Sequence, residues 1–210
     1  SLSNDLGISM RRYSGSSSEV YTSSGVPLSL ALDLSGFLPP LTEKVRPWLN
    51  LASVKIPNVY LFSSSALLRQ ASTAGGVPDV GSLVAGFYRP SGRYRGVYGT
   101  VNTFNSETIK TVIHEYVHLL VSETAPTADI PAWLNEGLAT YLENHLAPDF
   151  GAGLSAQRDI FFKADKVKSR LTTNALIPLA RLVSQRDWNA QTDRELVNLQ
   201  YSEAYMAVRY

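Results

Sequence analysis

Apolar side chains in the second half of the chain recur at the spacing of an α-helix. Over residues 107–121 they lie three or four positions apart, which predicts one amphipathic helix. A break follows at Ala125-Pro126, and Pro131 suits the first turn of a second helix over 132–146. Further candidate helices with the same period are 157–168 and 195–210. The C-terminal half is therefore predicted to be mainly helical.

The first half of the chain instead carries short runs rich in β-branched and aromatic residues. Such runs are typical of strands, and they occupy 54–62, 83–88 and 95–103. Pro57 places the first of these strands at a sheet edge or a bulge, because proline lacks a backbone donor. Residues 64–73 are predicted to form a helix that is closed by Gly75-Gly76.

The beginning of the chain differs from both halves. Residues 1–25 include nine serines and few large apolar groups, a composition that buries little surface and predicts a mobile lead-in. We expect a single domain of the α+β class over residues 26–210. In this domain a small twisted sheet from the N-terminal half packs on the helix at 107–121, and the C-terminal half is mainly helical.

Composition and charge exclude several classes of protein function. With 210 residues, 44% of them apolar, the chain is long enough for one compact core. Charged residues make up 18% and the net charge is +1, which argues against binding to nucleic acid or to an anionic membrane. No apolar run is long enough to insert across a bilayer. The absence of cysteine excludes disulfide frameworks, iron–sulfur sites and cysteine nucleophiles.

The composition of the chain predicts its cellular location, and its two ends predict whether it is part of a longer protein. Low charge, missing cysteine and many tyrosines and serines favour an extracellular or cell-surface domain. A start at Ser1 and a helical pattern that continues to Tyr210 lead us to expect a piece of a longer protein. No feature of the sequence specifies an oligomeric state.

Two histidines stand four residues apart in the sequence HEYVH at 114–118, inside the first predicted helix. Residues four apart share one helix face, so both imidazoles can reach one metal ion. Zinc prefers such nitrogen ligands, with a third protein ligand and an open position for water. Glu115 lies about 100° further around the axis, where it can accept a proton from the water instead of binding the ion. Because His114 and His118 lie off the apolar stripe, we expect them on the face away from most of the packing.

A carboxylate in the second predicted helix is the candidate third ligand. Glu136 follows His118 after 17 intervening residues, which leaves room for a loop and a helix that returns past the first one. Its neighbours Trp133, Leu134 and Leu138 are apolar. A carboxylate in such surroundings needs a partner, and a metal ion is a suitable one.

The segments HEYVH at 114–118 and WLNEGLATY at 133–141 together resemble the gluzincin group of zinc metallopeptidases. They are similar to small MA-clan-like peptidase domains with an HExxH followed by W-L-x-E-G-x-A, and the specific likeness covers residues 109–143. The resemblance implies a zincin-like fold in which His114, His118 and Glu136 hold one Zn²⁺. It also implies that Glu115 acts as the general base.

The same resemblance implies a tyrosine or histidine, on a later helix, that stabilises the oxyanion of the transition state. Tyr201 lies 65 residues after Glu136, which resembles the placement of the tyrosine in gluzincin aminopeptidases. A phenol can donate a hydrogen bond to such an oxyanion. Tyr205, one turn further on the same face, is the alternative donor. His145 is expected to be a helix-end residue and not a ligand.

These residues predict a zinc-dependent peptidase that hydrolyses peptide bonds in a peptide or protein substrate. Gluzincin aminopeptidases carry a G-x-M-E-N strand whose glutamate binds the substrate amino terminus. The nearest run here, Gly99 to Asn102, has no acidic residue, so an endopeptidase is favoured. We expect its substrate to lie extended along 97–102 as an added strand.

Two other hypotheses remain open. A binding or assembly domain would hold zinc without turnover, so metal would be present while no peptide was cleaved. An interaction domain with a chance motif would bind no zinc and would fold unchanged after both histidines were replaced. A group of arginines and tyrosines is interpreted as a solvated face or the rim of a substrate cleft, at Tyr88, Arg89, Arg93, Tyr94, Arg95 and Tyr98.

Overall fold

The computed structural model of the protein describes residues 2–15, 18–51, 54–74, 85–101, 104–126, 129–185, 188 and 193–209. Within these residues, one mixed sheet of five strands is formed by the first half of the chain. Its strands are β1 (Met10–Ser14), β2 (Glu19–Ser23), β3 (Asn58–Phe62), β4 (Gly86–Arg89) and β5 (Gly96–Thr100). The order across the sheet is β1-β2-β3-β5-β4, with β2, β3 and β5 parallel and the two outer strands antiparallel to their neighbours.

Helices connect the strands and make up most of the second half. Those in the first half are α1 (Leu2–Leu6), α2 (Leu28–Ser35), α3 (Leu38–Leu49) and α4 (Ser65–Ala74). Those after β5 are α5 (Asn105–Thr124), α6 (Ala132–Leu146), α7 (Gly153–Thr172), α8 (Leu179–Ser184) and α9 (Arg194–Arg209), with a short 3₁₀ helix at Ala147–Phe150. The predicted α+β class is confirmed. In the described part of the chain, no helix is long and apolar enough to cross a membrane.

The serine-rich start of the chain belongs to the sheet, contrary to the expected mobile lead-in over residues 1–25. β1 pairs with β2, and β2 also pairs in parallel with β3. Val20 anchors β2 in the main core. The serines suit this position because their hydroxyl groups bond to nearby backbone, as when Ser23 Oγ accepts a 2.9 Å hydrogen bond from the Ser63 N–H. Ser16 and Ser17 lie outside the described residues.

β3 is a central strand, so the expected edge or bulge at Pro57 is not present. The strand begins at Asn58 and pairs with β2 on one side and β5 on the other. Pro57 lies just before the paired residues, where its missing donor removes no ladder hydrogen bond. The predicted closing glycines at 75–76 lie outside the described part of the chain.

The two later predicted strands form an antiparallel pair, β4 and β5, and residues 83–84 and 102–103 of their predicted range lie outside the description. β5 is paired with β3 on its other side. A peptide therefore cannot add along residues 97–102 as expected, because both edges of β5 are already used. Among the described strands, β4 ends the sheet on this side, so the open edge is that of Gly86–Arg89.

α5 lies across one face of the sheet, against β4 and β5. Its apolar stripe forms the middle of the main core and is fully buried, with Val112, Ile113, Tyr116, Val117 and Leu120. The Tyr116 hydroxyl lies 2.6 Å from Thr42 Oγ1 on α3, so the one polar atom of this stripe is hydrogen-bonded. The opposite face of the sheet holds a row of stacked rings at Tyr21, Tyr60, Tyr98 and Phe87.

α6 packs on α5, and α9 packs on α6 so closely that residue 137 must be glycine. A Cβ atom on Gly137 would lie 2.7 Å from the Ala204 backbone oxygen and 2.8 Å from Val208 Cγ2. The missing side chain lets the two helix backbones approach each other. This close crossing brings α9 beside the residues that α5 and α6 place together.

Candidate metal centre

Three predicted metal ligands converge where α5 meets α6. Glu136 Oε2 lies 3.2 Å from His114 Nε2 and 3.3 Å from His118 Nε2, and the two Nε2 atoms are 3.1 Å apart. Ligand atoms at the usual 2.0–2.1 Å from a tetrahedral zinc ion are about 3.3 Å apart. The three atoms therefore have the spacing of three corners of a zinc tetrahedron, and this donor set fits a single ion.

Each histidine is held by a second partner through its other ring nitrogen. His114 Nδ1 lies 2.9 Å from Glu143 Oε2, and His118 Nδ1 lies 3.0 Å from Asn135 Oδ1. A carboxylate and an amide oxygen are acceptors, so both Nδ1 atoms donate, and both Nε2 atoms face the cluster. Such outer partners fix the tautomer and the ring orientation of metal-binding histidines.

The histidines are buried, and the expectation that they lie on the face away from most packing is wrong. His118 is 5% exposed, and the His114 side chain is 14% exposed. The apolar stripe of α5 does face the sheet, as predicted. The opposite side of the helix is covered by α6, and this tertiary contact is not visible in the periodicity of α5 itself.

The electrostatics of the cluster favour a cation. Burial lowers the pKa of His114, but hydrogen bonds to Glu136 and Glu143 outweigh it and raise that pKa well above 6.5. Burial alone would raise the pKa of Glu136, yet His118 and His114 hold it well below its usual value. Glu136 also raises the pKa of His118 against the effect of burial, so the carboxylates give both histidines a negative environment, which favours a cation such as a divalent metal ion.

Glu115 lies beside the cluster and beside the open edge of the sheet. Burial raises the pKa of its carboxyl, while the adjacent histidines act in the opposite direction. The backbone of β4 passes directly next to its side chain, because a Cβ atom on Gly86 would lie 2.9 Å from Glu115 Cγ. Glycine at this position of the strand leaves room for the carboxylate.

The structure brings Tyr201 to the cluster and places Tyr205 elsewhere. The Tyr201 ring is 6.3 Å from the His114 ring, centre to centre, and 5.5 Å from that of Trp188. Burial raises the pKa of the Tyr201 hydroxyl, and the nearby carboxylates of Glu136 and Glu115 raise it further. The Tyr205 ring lies 6.3 Å from Tyr141, and its hydroxyl accepts a hydrogen bond from Arg209.

Sequence reasoning missed Asn135 and Glu143 of this site, and it assigned no contact with the ligands to Tyr88. Glu143 follows Glu136 by seven positions, so it falls on the same face of α6, and this spacing is a signal that could have identified it. Tyr88 stacks on the His118 ring, with 5.8 Å between ring centres. Tyr88 belongs to the arginine–tyrosine group noted in the sequence. Two other members of that group form ion pairs, Arg95 with Glu123 and Arg93 with Asp5.

Comparison of the sequence with protein-family models assigns the chain to a family. The family model described as the Peptidase MA superfamily matches residues 97–210, which is more than half of the chain. The chain belongs to the peptidase MA superfamily. The matched residues include the whole ligand cluster, Glu115 and Tyr201. The MA-clan resemblance of the two motifs is thereby confirmed.

Solved structures show how this superfamily domain relates to larger proteins. The native leukotriene A4 hydrolase of Saccharomyces cerevisiae is similar at 12% identity and a TM-score of 0.50, and the yeast enzyme in complex with bestatin at 12% and 0.51. Each match covers 95% of this chain and 30% of the yeast protein. The likeness establishes a shared fold, and the chain spans less than a third of those proteins. No curated protein matches the chain significantly.

Proposed function

We propose that this domain is a zinc-dependent endopeptidase, in which His114, His118 and Glu136 hold one Zn²⁺. The observation that carries the proposal is the arrangement of the three ligand atoms. Their mutual distances of 3.1–3.3 Å fit a tetrahedral zinc site. Both histidines also have the outer hydrogen-bond acceptors that such ligands need.

The side chains around the ligands have suitable properties for hydrolysis. A bound Zn²⁺ would act as a Lewis acid and lower the pKa of water to about 7. Glu115, with its raised pKa, is a base strong enough to accept a proton from the attacking water and to pass it to the leaving amine. Tyr201 keeps its proton because its pKa is raised, so its hydroxyl can donate a hydrogen bond to the developing oxyanion.

The open edge of the sheet supports a peptide as the substrate. Among the described strands β4 has no partner on its outer side, so the backbone groups of Gly86–Arg89 on that side can pair with an extended chain, which is a common mode of peptide recognition. Such a peptide would lie next to Glu115, because Gly86 contacts that side chain. Residues 81–101 contain no aspartate or glutamate, so this strand offers no partner for a substrate amino terminus, which favours internal cleavage.

The test combines metal content with cleavage of a peptide library. We expect about one zinc per chain after dialysis of the wild type, and a clear loss of zinc in Glu136→Ala. We expect Glu115→Gln to keep its zinc and to lose hydrolysis by about 1,000-fold, because it lacks only the base. Mass spectrometry of the products distinguishes internal from terminal cleavage.

Each alternative has its own outcome in this experiment. A wild type without zinc, even after zinc is offered, refutes the metal site and with it the peptidase. A wild type that binds zinc and cleaves no library peptide indicates the binding or assembly domain instead. Cleavage restricted to the first residue of each peptide would replace the endopeptidase with an aminopeptidase.

A further inference from the structure

Lys110 places a charged group in the interior, one helical turn before His114 on α5. Its side chain is 6% exposed, and Nζ lies 3.2 Å from Glu143 Oε1 and 3.4 Å from Asp159 Oδ2. A buried ammonium group is destabilising unless it is paired. Here the pairing joins three helices, because Glu143 belongs to α6 and Asp159 to α7.

Glu143 connects this lysine to the metal centre. One of its oxygens, Oε2, accepts the hydrogen bond from His114 Nδ1 at 2.9 Å, and the other, Oε1, faces Lys110. A carboxylate with a separate partner on each oxygen cannot rotate without losing one of them. The orientation of the His114 ring therefore depends on a contact that Lys110 maintains.

We propose that Lys110 is a positioning residue of the metal centre, which holds the Glu143 carboxylate so that His114 presents Nε2 to Zn²⁺. The inference rests on the zinc site proposed above and adds a determinant of its affinity. Lys110 does not contact any of the three ligand atoms, so its effect on zinc is transmitted through Glu143.

Asp159 anchors Lys110 from the side away from the metal. Asn144 Nδ2 donates a 2.8 Å hydrogen bond to Asp159, and Lys163 pairs with the same carboxylate.

The experiment measures the zinc dissociation constant of the full chain by competition with a chelator. In Lys110→Met we expect zinc to bind about tenfold more weakly, at the lower end of the effect of outer-shell residues. Lys163→Met is the matched control, since Lys163 pairs with Asp159 but does not contact Glu143. We expect its dissociation constant to stay within about twofold of the wild type.

A double variant tests whether Lys110 acts through Glu143. Glu143→Gln should itself weaken zinc, and adding Lys110→Met to it should cause little further loss, because the transmitting carboxylate is already gone. The absorption spectrum of the Co²⁺-loaded protein gives a second readout. It should change in Lys110→Met and not in Lys163→Met, because a loosened His114 alters the ligand field.

Specific outcomes overturn the inference. One is a wild-type dissociation constant in Lys110→Met, and another is a full additive loss in the double variant. If Lys110→Met does not fold, Asp159→Asn replaces it and should also weaken zinc, and an unchanged affinity there overturns the inference. A wild type that binds no zinc refutes the proposed function as well, whereas zinc binding that is insensitive to Lys110 refutes this inference alone.

Discussion

Gly137 sets the distance between α6 and α9, and replacing it with alanine should move Tyr201 away from the candidate metal centre. A Cβ atom at residue 137 would lie 2.7 Å from the Ala204 oxygen, whereas a comfortable contact between such atoms is about 3.4 Å or more. The two helices must therefore separate by about 0.7 Å. Tyr201 lies one turn before Ala204 and moves with α9, while the ligands remain on α5 and α6.

We expect Gly137→Ala to lower kcat for peptide hydrolysis about tenfold, with KM and zinc content unchanged. A displacement of 1 Å in a catalytic group can reduce the rate by about 100-fold, and the displacement here is smaller. Overpacking costs about 1–3 kcal/mol of folding free energy. The higher helix propensity of alanine offsets about 1 kcal/mol of this destabilisation, so the protein should remain folded.

The assay compares steady-state kinetics of Gly137→Ala with those of a matched glycine variant. Gly153→Ala is suitable, because a Cβ atom there would lie at an ordinary 3.6 Å from Pro148, and its kcat should equal that of the wild type. In a Tyr201→Phe background, Gly137→Ala should cause no additional loss. The reasoning is refuted by an unchanged kcat in Gly137→Ala, or by a further tenfold loss when the Tyr201 hydroxyl is already absent.

The remaining predictions concern the tyrosines and the pH dependence of stability. Tyr201→Phe should lower kcat about 100-fold at unchanged zinc content, whereas Tyr205→Phe should leave it unchanged; equal losses would contradict the assignment of the oxyanion donor. With a chelator present to remove metal, the protein should be most stable between pH 4.5 and 6.5. The raised pKa of His114 stabilises the fold below pH 6.5, and this contribution is lost as the pH rises through the pKa of His114 in the folded state. The lowered pKa of Glu136 stabilises it above 4.5, and that contribution is lost as pH falls. Thermal unfolding measured across this pH range checks the prediction. Glu136→Gln should flatten the dependence of the unfolding midpoint on pH. A midpoint that keeps rising above pH 7 would contradict the prediction.

The local part of the site could be predicted from the sequence. The spacing of His114 and His118 and the apolar surroundings of Glu136 are properties of single helices, and the periodicity of those helices is strong. Glu143 carried a usable signal in its seven-residue distance from Glu136. The burial of the histidines had no such signal in the sequence. It results from α6, which covers a face of α5 that looks polar in the sequence of α5.

The sheet was harder to predict, because its strands depend on partners far along the chain. Glu19–Ser23 becomes a strand through pairing with Asn58–Phe62, whose residues lie about 40 positions later. Strand propensity is strongly context-dependent, so the serine content of the first residues was misleading. The position of β5 between β3 and β4 likewise follows from strand order, which local composition does not determine.

The closeness of the three ligands along the chain has a consequence for the order of folding. His114 and Glu136 are 22 positions apart, on two helices joined by one loop, so little entropy is lost in bringing them together. Tyr201 is about four times as far from His114, and closing that loop costs about 1 kcal/mol more. We expect the nascent α5–α6 pair to capture zinc before α9 docks. In the peptidase proposed above, a freshly synthesised chain would then pass through a metal-loaded intermediate that lacks the Tyr201 hydroxyl, and cleavage would begin only once α9 has docked.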